Sequence, residues 1–316
     1  MTRKKIIVTG GAGFIGSHIA RRLRDTGYDV VVVDNLVTGT CANLPEGVDF
    51  IQGDISKKSL IASLPDKGVF AVLHLAAQSS GEISQEKPEL DLKVNTLGTL
   101  QLLQWCAKHH VPRFMYASSM AIYGDVTYNP VPETQSCNPL SFYGISKLSS
   151  EQYIQHFSRE GLDTTCFRMF SVYGPGQNMT NMKQGMVSIF LAYLMNGEEI
   201  WVKGSKDRFR DFIYIDDVVD VWCSSLENKK TYGKIYNLAT GQKTTVGDLV
   251  RIETKMFGED PEKYPIKFEG STPADQFGLY ADITFLKKDL SWKPRITLEK
   301  GLREMIAWVK KEYQVK

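Results

Sequence analysis

The sequence has no apolar run approaching the roughly eighteen residues that a membrane span requires, so no membrane partner is expected. Its basic start, Met1-Thr2-Arg3-Lys4-Lys5, is followed by only three apolar residues before Thr9, which reads as a strand and not as a signal peptide. Five cysteines, odd in number and widely scattered, contain no CxxC pair. Reduced thiols and a soluble, cytoplasmic protein are the expectation. None of the five histidines falls in a zinc spacing, so no metal is expected. Thirty-eight basic and thirty-six acidic residues give a formal charge of +2, and no run of lysine or arginine is long enough for a nucleic-acid tail. A chain of 316 residues can bury one large core or two moderate ones.

What the chain does contain is a succession of β-branched runs alternating with helical patterns. Lys5 to Thr9 has the composition of a buried parallel strand. It runs into Gly10-Gly11-Ala12-Gly13-Phe14-Ile15-Gly16 and a helix from about Phe14 to Arg24. In such a strand–turn–helix, Gly10 permits the tight turn, Gly13 admits a diphosphate and Gly16 allows close helix packing. Amides at the helix start then face the anion. The next strand, Asp29 to Asp34, ends on an acid eighteen residues after Gly16. A carboxylate there accepts hydrogen bonds from an adenosine ribose and repels a 2′-phosphate, which selects NAD over NADP. Asn35, where a basic residue would favour NADP, agrees.

Further strands are expected at Val48 to Gln52, Val69 to Leu75 and Arg113 to Ala117. The first leads into Asp54-Ile55, where Asp54 can meet an adenine amino group, and the second into Ala76-Ala77, small enough for a cofactor to lie across the strand tip. His74 reads as a packed or hydrogen-bonded core residue. A helix from about Leu90 to His109 carries Asn95 and Gly98, and its leucines spread over two faces, as a subunit interface would require. Hydroxyls at Ser118-Ser119 end the fifth strand. A proline-rich loop then leads to Ser141-Phe142-Tyr143-Gly144-Ile145-Ser146-Lys147 and a helix to about Glu160. Tyr143 and Lys147, four residues apart, share a helix face with Cβ atoms roughly 5–6 Å apart. A cation beside a phenol favours the phenolate.

In this order and at these intervals the motifs resemble the extended short-chain dehydrogenase/reductase family, specifically its nucleotide-sugar 4-epimerases of the UDP-glucose/UDP-galactose type. The resemblance runs through nearly the whole chain. It implies an α/β fold: a Rossmann-type doubly wound parallel sheet with a smaller C-terminal α/β substrate-binding lobe. Residues 1–172 with about 213–242 would bind NAD, and about 173–212 with 243–316 the nucleotide sugar. Ser119, Tyr143 and Lys147 are its implied catalytic set. Gly10, Gly13, Phe14, Ile15, Asp34, Asn35, Asp54, Ile55, Leu75, Ala76, Ala77, Asn95, Tyr143, Lys147 and Phe170 are its implied NAD contacts. Gln78, Ser119, Tyr143, Ser171, Gly185, Met186, Trp201, Val202, Lys203, Arg210 and Asp275 are its implied substrate contacts.

Within that set Arg210 would clamp a diphosphate and Trp201 would stack or pack; beyond it, Asp217 would cap the helix that follows it, about Val218 to Leu226. Ser171 replaces the usual asparagine and Thr272 the usual second arginine, while Leu279 stands at a gate position with a side chain of intermediate size. The implied reaction is inversion at C4 of a nucleotide-diphosphate sugar, a UDP-sugar first among them, through a 4-keto intermediate. The implied assembly is a homodimer through helices at about 90–109 and 143–160. A 4,6-dehydratase or decarboxylase would want acids where Met120 and Ala121 stand. A nucleotide-keto-sugar reductase shares the whole catalytic set, and a non-catalytic nucleotide-binding protein would share the fold.

Overall fold

The computed structural model describes residues 3–271 and 276–314, so Thr272 and Asp275 lie outside the described residues. The β-branched runs become strands β1 (Lys5–Thr9), β2 (Asp29–Asp34), β3 (Asp49–Gln52), β4 (Val69–His74), β5 (Arg113–Ser119) and β6 (Asp163–Met169). The helices between them are α1 (Phe14–Asp25), α2 (Lys58–Ser63), α3 (Gly81–Glu86), α4 (Pro88–Asp91), α5 (Gly98–Lys108) and α6 (Phe142–Arg159). Short strands follow at β7 (Ser171–Tyr173), β8 (Ile200–Lys203), β9 (Phe209–Arg210) and β10 (Phe212–Tyr214), then β11 (Lys234–Leu238), β12 (Thr244–Thr245) and β13 (Ile266–Glu269). Helices α7 (Met186–Asn196), α8 (Ile215–Ser225), α9 (Val246–Phe257), α10 (Thr284–Leu290) and α11 (Leu298–Glu312) complete the described chain.

Seven strands form one sheet in the order β11-β6-β5-β4-β1-β2-β3, parallel throughout. Alternate residues of each strand feed opposite faces, which is why the interiors of β1, β2 and β4 are apolar throughout. Ile6, Val8, Val30 and Val32 join Ile19 and Leu23 of α1 and Val218 and Trp222 of α8. Ile7, Val31, Val33 and Val72 join Leu102 and Trp105 of α5 and Ile154 of α6 on the other side. The result is the doubly wound Rossmann-type fold. Strand order reverses at β1, opening the crevice beyond the carboxyl ends of β1 and β4 where such sheets hold their ligands.

Two local expectations fail. The helix over 90–109 is interrupted: α4 gives way to a π-helical turn at Leu92–Leu97 before α5. The turn widens where Asn95 and Thr96 reach sideways to Ser146 of α6. Asp217 is not a cap either. Helix α8 begins earlier, at Ile215, with Tyr214 at the N-cap and no side-chain cap bond. The Asp217 carboxylate instead accepts the amides of Arg295 (3.1 Å) and Ile296 (3.1 Å), clasping α8 to the segment before α11.

Glu253, on α9, is fully buried and neither of its oxygens has a hydrogen-bond partner among the described residues. Burial pushes its carboxyl well above the ordinary range. An acid raised on folding weakens the fold progressively as pH climbs above its unfolded pKa near ~4.3. Glu253→Met is therefore expected to raise Tm at pH ~8, with the gain shrinking towards pH ~5. Thermal melts at the two pH values check this; a gain independent of pH would remove Glu253 as its source.

Candidate active site

The glycine turn sits at the mouth of the crevice. Gly10 has φ +70°, and a Cβ there would lie 2.6 Å from the Ala76 amide nitrogen; a Cβ on Gly16 would lie 2.1 Å from the Gly10 carbonyl oxygen. Both positions are closed by backbone. A Cβ on Gly13 would meet only the Gly10 oxygen, at 3.2 Å, so this glycine keeps an open surface. Helix α1 starts at Phe14 with no side-chain cap and no acid in its first turn. The unsatisfied amides of a helix start favour an anion there. At the tip of β2 the Asp34 carboxylate is fixed by the amides of Ala12 (3.0 Å) and Leu36 (2.8 Å). The arrangement fits a dinucleotide: an open anion cradle beside an oriented ribose acceptor.

The other expected cofactor positions surround this cradle unevenly. Asn35 is exposed and holds the Val37 amide at 3.1 Å. Asp54 accepts the Ser56 amide at 2.9 Å, while Ile55 is buried against the face carrying α5. Leu75, Ala76 and Ala77 remain partly exposed beyond β4. Phe170 is buried with Ile122, Tyr123, Ala239 and Leu279, so Leu279 is a core side chain in this structure. His74 is the hydrogen-bonded core residue expected: its Nδ1 meets Thr9 Oγ1 at 2.7 Å and its Nε2 meets Thr99 Oγ1 at 2.9 Å.

The catalytic candidates converge at the tip of β5. Ser141 caps α6 by accepting the Gly144 amide at 3.0 Å. A Cβ on Gly144 would lie 2.6 Å from the Ala121 carbonyl oxygen, so this glycine lets α6 close on the segment after Ser119. Ser119 Oγ accepts the Ala121 amide at 3.2 Å, and its hydroxyl is near enough to Tyr143 to favour the phenolate. Lys147 is buried and donates to the Ala117 carbonyl at 2.8 Å. Its ammonium lies 4.8 Å from the Tyr116 ring centre and 5.8 Å from that of Tyr143.

The electrostatics differ from the simple expectation of a phenol driven towards ionisation by its neighbour. Burial pushes Tyr143 up to about 12, against the nearby Ser119 hydroxyl and with the help of the Asp91 charge. Burial pulls Lys147 down to about 7, opposed by Asp91 and Glu151. Desolvation dominates both groups, and the ammonium is turned towards a carbonyl.

Asn95 joins the expected groups, but its amide is engaged by protein. Its Oδ1 accepts the Gln78 amide (2.8 Å), and its Nδ2 donates to the Gln78 carbonyl and to Ser146 Oγ, each at 3.0 Å. Gln78 is turned inward: Nε2 donates to Asp91 Oδ1 at 2.7 Å and Oε1 accepts the Ser80 amide at 2.6 Å.

Of the substrate-side candidates, Gly185 (φ +90°) precedes α7, and a Cβ there would meet Gln177 Nε2 at 2.3 Å. Met186 opens α7. The Ser171 amide donates to the Asp211 carbonyl at 3.0 Å. Along β8, Val202 is buried, leaving only its backbone for a ligand, whereas Trp201 is 49 % exposed. The Trp201 indole donates to Glu199 at 2.7 Å and carries the Lys267 ammonium 4.3 Å from its ring centre. It does not pack in the core. Lys203 pairs with Glu82 of α3. Arg210 is buried and donates to the carbonyls of Phe209 (2.8 Å) and Gln276 (2.9 Å). Asp275 falls outside the described residues.

The sequence reading passed over Asp91 and Ser84, which lie buried next to this set. The available signal was spacing: Asp91 stands one helical turn before Asn95.

Residues 6–239 match the family described as the NAD dependent epimerase/dehydratase family. A putative UDP-glucose 4-epimerase of Methanocaldococcus jannaschii is 36% identical over 313 residues, 96% of this chain and 98% of that protein. The crystal structure of a Thermotoga maritima UDP-glucose 4-epimerase with UDP-glucose is 37% identical at a TM-score of 0.93, covering 98% of this chain and 99% of the other. A UDP-N-acetylglucosamine 4-epimerase from Methanobrevibacter ruminantium, in complex with UDP-N-acetylmuramic acid, is 30% identical at a TM-score of 0.91, covering 99% of this chain and 100% of the other.

Proposed function

This chain belongs to the NAD dependent epimerase/dehydratase family, and from that premise we propose that it inverts C4 of a UDP-sugar, with UDP-glucose/UDP-galactose first and the UDP-GlcNAc/UDP-GalNAc pair second. The observation that carries this reading is the meeting of Tyr143 and buried Lys147 with the tip of β5: the Lys147 ammonium lies 5.8 Å from the Tyr143 ring centre and donates to the Ala117 carbonyl, while Gly144 lets α6 close on the segment after Ser119. Bound NAD supplies a hydride acceptor and donor together with a cationic nicotinamide ring. Tyr143 takes the proton of the 4-hydroxyl and, once the 4-keto sugar has turned to present its other face, returns it to the same oxygen. Ser119 hydrogen-bonds that oxygen and relays the proton. Lys147 holds the cofactor ribose and adds positive charge next to the phenolate. Gly10, Gly13, Phe14 and Ile15 cradle the cofactor diphosphate, and Asp34 holds its adenosine ribose.

On the substrate side, half-exposed Trp201 and the β8 backbone meet the base, and Arg210 supplies cationic charge for the diphosphate. We assign residues 1–172 and about 213–242 to the NAD lobe and the remainder to the substrate lobe. We also assign a homodimer to the face bearing Leu92, Leu97 and Ile145, which are 61, 42 and 51 % exposed.

A keto-sugar reductase is the second reading, because a phenol held at about 12 is in the donor form that a one-way reduction uses. Incubating the protein separately with UDP-glucose, UDP-GlcNAc and UDP-glucuronate, then resolving 4-epimers, distinguishes them. Epimer formation is expected with UDP-glucose; none with any of the three sugars would remove the epimerase reading.

A further inference from the structure

Buried side chains around Tyr143 include one group that the proton-transfer scheme does not use. Asp91 closes α4 and is 1 % exposed; Ser84, on α3, is 0 % exposed. Asp91 Oδ2 accepts the Ser84 hydroxyl at 2.5 Å. The same Ser84 oxygen accepts the backbone amide of Tyr143 at 2.6 Å. Asp91 Oδ1 accepts Gln78 Nε2 at 2.7 Å. Three segments thus meet on one carboxylate: the loop beyond β4, α3 and the first turn of the catalytic helix.

The amide of Tyr143 is one of the helix-start donors that have no partner within their own helix. Ser84 satisfies it from another element, and Asp91 fixes the direction of the Ser84 hydroxyl, because a hydroxyl that donates to the carboxylate turns a lone pair to the amide. Both neighbours donate to Asp91, so the site requires an acceptor at each oxygen. An asparagine would set an NH₂ group against either Ser84 or Gln78. Burial raises the Asp91 carboxyl, while the donors and Lys147 oppose that shift.

We propose that Asp91 is a positioning residue for Tyr143, acting through Ser84 on the start of α6 and by its charge on the phenol–lysine pair. This rests on the reading of Tyr143 as the group that moves the proton. The titratable groups of α6 that interact with it are Tyr143 and Lys147. Glu151, farther along the helix, is committed to Arg168 at 2.9 Å. From α3, Glu82 and Glu86 point to Lys203 and Lys183, and on the flanking turn Glu89 pairs with Lys93. Asp91 is therefore the acid coupled to both catalytic groups. Its charge opposes ionisation of the phenol and favours the ammonium, which keeps Tyr143 a proton donor until cofactor and sugar are in place.

The test titrates the phenol directly by ultraviolet difference spectroscopy, with the corresponding Tyr143→Phe protein as baseline. Asp91→Asn is expected to move the Tyr143 midpoint to lower pH by roughly half a unit or more. Ser84→Ala, which keeps the charge and removes the link, is expected to leave the midpoint in place and lower kcat by about ten- to a hundredfold with KM little changed. An unshifted midpoint in Asp91→Asn overturns the electrostatic role, and full kcat in Ser84→Ala overturns the positional one. If Asp91→Asn does not fold, the Ser84→Ala split between kcat and KM decides alone. The titration needs no substrate, so a protein without epimerase activity whose midpoint still shifts would sink the functional reading and leave the coupling standing.

Discussion

Tyr143→Phe is expected to lower turnover by at least about a hundredfold, the low end of what a positioned acid–base group contributes, while the fold and NAD binding persist. Loss of one hydroxyl leaves the ring in place. The amide of residue 143 still reaches Ser84, and Lys147 still reaches the Ala117 carbonyl. What disappears is the hydroxyl proposed to take and return the proton. Turnover at saturating sugar, read beside thermal melts and cofactor titration, checks the expectation. Near-normal kcat would remove Tyr143 from the chemistry.

Gly16→Val should be as damaging by a different route. The added Cβ would lie 2.1 Å from the Gly10 carbonyl oxygen and 2.8 Å from its carbon, both backbone atoms that cannot swing aside as a side chain does. Overpacking a tight site costs about 1–3 kcal/mol, and more where backbone must move. That strain falls on the turn that cradles the diphosphate, so NAD affinity is expected to drop by roughly a hundredfold or more, with a lower Tm for the cofactor-free protein. Gly13→Ala provides the contrast. Its Cβ meets only one atom, at 3.2 Å, so it should weaken NAD binding while leaving Tm nearly unchanged. Calorimetric titration and melts on both variants separate the two effects; equal Tm losses would contradict the division of roles.

The parts of the site legible in the sequence are those governed by local rules. A β-branched run ending in glycines, an acid at the tip of β2 and a tyrosine four residues before a lysine each declare their geometry through strand termination or helical period. What stayed hidden depends on which distant segments meet. Ser84 and Asp91 acquire a role only when α3 and α4 fold against α6. The break at Leu92–Leu97 arises because Asn95 and Thr96 serve α6, which no periodicity in α5 reveals. Asp217 looked like a cap because acids commonly begin helices, yet its partners lie at Arg295 and Ile296. The direction of the Lys147 ammonium was likewise invisible: spacing brings it near Tyr143, but burial and the Ala117 carbonyl decide where it points.

In the proposed reaction the sugar is oxidised and reduced in one site with no net change in cofactor. The most direct measurement is incubation of UDP-glucose, deuterated at C4, with purified protein and a catalytic trace of NAD⁺. A mixture of both 4-epimers is expected, with the label retained at C4 and no accumulation of NADH. A requirement for stoichiometric NADH, or loss of the label to water, would contradict it.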